Sequence, residues 1–173
     1  MENHPAPSEE NLNRRKVMLP LTPETAASLR AGDALLLTGF LYTARDSAHK
    51  KLSAMIRVGE PLPINLKGET IYYAGPCPSK PGEVIGSIGP TTSGRMDRYA
   101  PTLLKQGLRA MIGKGARNPL VVEAMIETGG VYLGATGGAG ALIAQCVREA
   151  RVVAFPELGT EAIRRLRVED FPV

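Results

Sequence analysis

The sequence has no tryptophan, and aromatic residues make up only 5% of it. Surfaces that bind single-stranded nucleic acid stack bases on aromatic rings, so there is little here to build one. Histidine occurs twice, as His4 and His49, and cysteine twice, as Cys77 and Cys146. Two thiols are too few for an iron–sulfur cluster, which usually takes four thiolates. No HExxH or CxxC spacing offers a zinc site, so no metal ligand is expected from this chain. The cysteines lie far apart and are expected as buried, reduced thiols of a cytoplasmic protein. No apolar run approaches the ~18 residues of a membrane span. The first ten residues, MENHPAPSEE, have neither the apolar core of a secretory signal nor the acid-poor character of a transit peptide. Charge of one sign is also scarce. Lys and Arg number 21 against 17 Asp and Glu, a net +4 that suits an anionic small molecule, an acidic partner or nucleic acid without choosing among them.

What is present describes a globular domain. Hydrophobic residues are 43% and charged residues 22%, near the average for folded proteins. A chain of 173 residues buries ~70% of its unfolded surface and needs no disulfide or metal to fold. A loose tail is expected over residues 1–16 and one domain over 17–173. Thr22-Pro23 reads as an N-cap followed by proline at the first helical position, with Gly32 as the stop. Strands are expected over 34–42, 70–74, 84–88, 108–112, 131–135, 151–155 and 163–170. Helices are expected over 46–57, 117–128 and 138–148. Strands alternating with helices make the class α/β.

The glycine-rich segments fail the nucleotide patterns. A P-loop around Gly113-Lys114 needs glycine at 108 and Ser or Thr at 115, where the chain has Leu108 and Gly115. A dinucleotide turn from Gly138 needs a small residue at 143, where it has Ile143. The run Gly137-Gly138-Ala139-Gly140 therefore reads as a tight turn with close packing. There is no GxSxG nucleophile elbow.

Three polar segments at strand ends resist a structural reading, and strand ends are where α/β sites lie. In TARDSAH (43–49), Asp46 suits a helix N-terminus but Arg45 has the wrong sign for it. In GPTTSGRMD (89–97), hydroxyls and backbone amides can cradle an anion, and Arg95 can grip a carboxylate. In IGKG (112–115), Lys114 stands between two glycines. Two arginines and a lysine suit a small dianion. No activated nucleophile or paired carboxylate accompanies them, so the chain reads as a gripping half-site that needs a partner.

These segments carry a resemblance. TGFLYTARDSAHKKL (38–52), the run 72–97 ending in GPTTSGRMD, MIGKG (111–115), ELGTEAI (157–163) and VEDFP (168–172) resemble the C-terminal domain of class I fumarases. In many prokaryotes that domain is a separate chain, the β subunit of an iron–sulfur-dependent fumarate hydratase or L(+)-tartrate dehydratase. The resemblance spans roughly residues 17–171.

The resemblance implies a swivelling β/β/α fold and reversible hydration of a C4 dicarboxylate. It implies a four-iron cluster and a catalytic base carried by a partner α subunit. Matched motif by motif, Arg45 and Arg95 would hold the substrate carboxylates and Lys114 would complete the grip. Thr91 would be the proton donor or hydroxyl-side partner, assisted by Thr92. Asp46 and His49 would support Arg45, and Glu161 would have a structural role. Ala116-Arg117-Asn118 departs from the polar run that often follows the lysine. A non-catalytic anion-binding or regulatory module is the alternative. Without its partner, the chain would expose the face meant for the cluster domain and pair as a homodimer.

Overall fold

The computed structural model describes residues 14–173. Of the expected tail, residues 1–13, with His4, lie outside the described residues. The organising element is β2, Leu35–Thr43. Leu35, Leu37, Leu41 and Thr43 alternate into the interior, as a period of two requires. One edge of β2 pairs antiparallel with β7, Ile163–Pro172. The other edge is shared by two strands in turn. β1, Arg15–Met18, lies beside residues 35–38, and β3, Thr70–Tyr72, lies beside residues 42–43. Gly39 marks the handover at φ 135°, and a Cβ there would sit 2.6 Å from the Leu19 carbonyl oxygen. Only glycine lets the chain leaving β1 pass so close.

With β4 (Ala110–Gly113), β5 (Val131–Gly134) and β6 (Val147–Ala154), the sheet has seven strands, ordered β5-β4-β3-β2-β7-β6 with β1 beside β2. β7 alone runs against the rest. The α/β class is as expected.

The helices are α1 (Pro23–Ser28), α2 (Asp46–Val58), α3 (Ala100–Lys105), α4 (Pro119–Thr128) and α5 (Gly140–Ala144). Thr22 caps α1 as expected, but the helix ends at Ser28, before Gly32. Asn118 caps α4 by accepting from the Val121 amide at 3.0 Å. On one face of the sheet, Leu52 of α2, Leu103 and Leu104 of α3 and Val121 of α4 meet Ile71, Met111 and Ile163. On the other, Leu37, Leu41, Tyr72 and Phe171 are closed over by Ile85, Ile88 and Ile143. Each such aliphatic side chain contributes roughly 1.5–3 kcal/mol of burial.

Two expected elements differ. Residues 84–88 form no strand. Ile85 and Ile88 are buried while Val84 and Ser87 are exposed, and a Cβ at Gly86 would overlap the Cys77 carbonyl oxygen. The segment is a loop lying against the core, with two isoleucines as its plugs. The expected helix over 138–148 stops at Ala144, and β6 begins at Val147, because pairing with β7 overrides the local helical pattern. Gly140 lies in the close contact expected of its turn, since a Cβ there would stand 2.5 Å from Ser87 Oγ and 2.8 Å from the Gly89 amide nitrogen. The thiols also differ from expectation. Cys77 is exposed on the covering loop, and Cys146 is half-buried.

Candidate anion-binding site

The carboxyl ends of β2, β3 and β4 lie side by side. TARDSAH leaves from β2 and IGKG ends β4, whereas GPTTSGRMD, expected after a strand, follows the covering loop and returns to them. GPTTSGRMD crosses the strand ends like a short extra strand. Its Thr91 amide donates to the Tyr73 carbonyl at 2.6 Å, and its Ser93 amide donates to the Lys114 carbonyl at 2.8 Å. Thr92 and Lys114 form a parallel bridge. Thr91, Thr92, Arg95 and Lys114 thus share one rim. Lys114 is exposed, and its amine lies beside Gly137, where a Cβ would stand 3.5 Å from Nζ.

Arg45 occupies the N-cap of α2 without capping it. Glu161 caps instead, accepting from the Ser47 amide at 3.1 Å and from Ser47 Oγ at 2.9 Å. The Arg45 side chain passes over Gly75, where a Cβ would come within 3.1 Å of its Cδ. Its Nε is buried and has no hydrogen-bond partner among the described residues. An orphaned donor of this kind costs about 1–3 kcal/mol, a state Arg45 Nε shares with Arg109 Nε. Asp46 turns to Arg95 rather than to Arg45. Its two oxygens take Arg95 Nε at 3.0 Å and Nη2 at 2.7 Å, a bidentate fork that fixes the guanidinium plane.

His49 reaches back one turn, its Nδ1 2.8 Å from the Arg45 carbonyl oxygen. A carbonyl only accepts, so Nδ1 carries the proton and Nε2 is left as a buried lone pair. The ring lies against Tyr73 and Tyr99, with centroids 5.2 and 6.2 Å away. Burial pulls the imidazole from 6.5 down to about 4; the Arg45 carbonyl and Asp46 oppose that shift, and Arg117 adds to it. The folded state therefore refuses a proton that the unfolded chain takes up below pH 6.5. Stability is lost as pH falls from there toward 4. Between pH 7.5 and 5, His49→Gln is expected to lose about 2 kcal/mol less stability than the wild type, read from denaturant midpoints. Equal losses would mean that His49 titrates normally.

Several supports escaped the reading of the sequence. Asp97 and Arg117 form an ion pair at 2.7 Å with side chains 9% and 3% exposed. Arg117 donates to the Tyr73 hydroxyl at 3.3 Å. Burial pushes that phenol up to about 12, against the pull of Arg117. Tyr73 looks in sequence like a core aromatic, and Ser47 and Glu161 carry no pattern linking them. Asp97 and Arg117 stood in segments that drew attention, but no spacing rule pairs them.

A mixed sheet with Arg45, Arg95 and Lys114 gathered near the ends of its parallel strands makes this an α/β domain with one candidate anion site. The family model described as Fumarase C-terminus matches residues 1–173. The anaerobic class I fumarate hydratase of Escherichia coli (strain K12) is 46% identical over 140 residues, 80% of this chain and 26% of that protein. Fumarate hydratase 2 of Leishmania major is 44% identical over 143 residues, 82% of this chain and 25% of that protein. A protein of Methanocaldococcus jannaschii named as a putative L(+)-tartrate dehydratase subunit beta is 40% identical over 156 residues, 87% of this chain and 80% of that one. The chain spans about a quarter of the length of the two fumarate hydratases. It belongs to the fumarase C-terminus family.

Proposed function

We propose that this chain is the β subunit of a two-chain hydro-lyase that reversibly hydrates fumarate to malate, and that it supplies the dicarboxylate-gripping half of the site. The observation that carries this reading is the bidentate grip of Asp46 on Arg95, which brings Arg95 to the helix start where Arg45 stands without a capping role. Arg45 takes one carboxylate. Arg95, with Nε and Nη2 committed to Asp46, offers Nη1 to the other, and Lys114 completes the grip. Fixed cations beside a carboxylate stabilise the charge that develops on it as the neighbouring C–H bond breaks. Holding both ends of the diacid also orients the C–H and C–O bonds. Thr91 faces the hydroxyl side as a proton or hydrogen-bond donor, with Thr92 beside it.

Among the described residues no three His, Cys, Asp or Glu side chains come together to hold a metal, and the two cysteines are both free. The residues of this chain do not fit a four-iron cluster. We assign the cluster, with the catalytic base, to a partner α subunit, where it would supply a Lewis acid to the substrate hydroxyl. The unbridged thiols support a cytoplasmic setting. No described helix is long and apolar enough to cross a membrane.

One observation favours a second substrate. A relative covered over 80% of its own length bears a putative tartrate dehydratase subunit beta name. The test is anaerobic co-expression with a cluster-bearing α chain, then a dehydration screen over malate and the tartrate isomers. The complex is expected to turn over malate and fumarate, and the isolated chain neither. Tartrate turnover alone would select the second substrate. Hydration by the isolated chain would overturn the split site. An intact, cluster-loaded complex inert to every diacid would leave an anion-binding module.

A further inference from the structure

We infer that the buried Asp97–Arg117 pair is a positioning latch that sets where Lys114 stands relative to Thr91 and Arg95, and hence the span between the cations. The inference rests on the proposed role of those cations as the substrate grip. Asp97 follows Arg95 by two residues, and Arg117 follows Lys114 by three. Asp97 spends both oxygens on the other loop, one on Arg117 Nε at 2.7 Å and one on the Asn118 amide at 2.8 Å. Arg117 is held between two rings, with centroids of Tyr73 at 5.2 Å and Tyr132 at 4.9 Å. The Tyr132 hydroxyl donates to the Gly115 carbonyl at 2.8 Å and shares a 2.8 Å hydrogen bond with Ser93 Oγ. These bonds tie the turn carrying Lys114 to the segment carrying Arg95, directly or through the two tyrosines.

Lys114 needs such fixing. Its backbone is bridged to Thr92 and accepts from the Ser93 amide, but it is flanked by Gly113 and Gly115, the latter at φ 84°. This bridge therefore has flexible glycine on both sides, and the latch braces it from behind. At Gly113 an added Cβ would overlap Ser93 Oγ, so the two segments already touch. A buried ion pair is a poor way to add stability, since an apolar pair of like volume often does as well. The guanidinium's separately aimed donors, Nε to Asp97 and Nη2 to the Tyr73 hydroxyl, are suited to holding a register. Lysine in place of Arg117 would keep the charge and lose this pair of fixed directions.

The test uses Arg117→Lys with two readouts. In the complex with the cluster-bearing partner, the substitution is expected to lower kcat/KM about 30-fold, but less than about 3-fold when Lys114 is already alanine, because the two then act on one thing. In the full chain alone, the Ser93 amide should exchange hydrogen about tenfold faster while Met111 and Ile112 in β4 stay protected. Equal losses in both backgrounds, or unchanged Ser93 exchange, would overturn the latch. If Arg117→Lys does not fold, Tyr132→Phe removes a single hydroxyl of the same network and must give the same pattern at smaller size. A wild-type complex that turns over no diacid would count against the functional reading alone, because the exchange measurement still decides whether the latch holds.

Discussion

Arg95→Ala is expected to lower kcat/KM of the reconstituted complex roughly 30- to 5,000-fold, the equivalent of the ~2–5 kcal/mol lost with a charge-assisted contact to substrate. Little of this comes from unfolding. The Arg95 side chain is half exposed and its ion partner Asp46 is part-buried, so the pair contributes about 1 kcal/mol or less to stability. A fall in turnover beyond that, with an unchanged denaturant midpoint, places Arg95 on the substrate. Near wild-type kinetics would remove it from the site. Arg95→Lys should recover little, because an ammonium cannot hold the Asp46 carboxylate at two points while reaching a second one.

Arg45→Met should separate stability from activity in opposite directions. The buried Nε has no acceptor, so an apolar side chain of similar length relieves an unsatisfied donor and stabilises the isolated chain by about 1–2 kcal/mol. The same change removes one carboxylate contact and is expected to reduce kcat/KM by roughly 30- to 5,000-fold. Thermal melting of the chain and kinetics of the complex check the two halves. A destabilised Arg45→Met chain would mean that the guanidinium serves the fold, and the site would then rest on Arg95 and Lys114.

The cations could be read in the sequence because each is a charge without local justification. Arg45 has the wrong sign for a helix start, and Lys114 stands in a glycine turn that needs no lysine. β2 and α2 were equally legible, since nine and thirteen residues show their period clearly. β1 was not, because a four-residue strand with one buried residue has no period to show. α3 opens on Ala100-Pro101 straight after a 3-10 turn, a start without a side-chain cap. Residues 84–88 misled because an apolar run in a covering loop has the composition of a strand without its alternation. The supports of the site stayed hidden for a different reason. Asp46 to Arg95, Glu161 to Ser47 and Asp97 to Arg117 are contacts between segments, and such pairings are set by the tertiary fold.

The Glu161 cap gives the site an order of assembly. Lys114 and GPTTSGRMD are joined through β3 and β4, whose residues are neighbours in the chain by a few tens of positions. Ser47 meets Glu161 across 114 residues, and such distant closures come late because their loop entropy is met before any contact offsets it. During synthesis, one end of the grip can take shape while the turn bearing Arg45 still waits for the hairpin of β6 and β7. On the proposed reading, the Arg45 contact is therefore the part of the grip that depends on the last strand of the sheet.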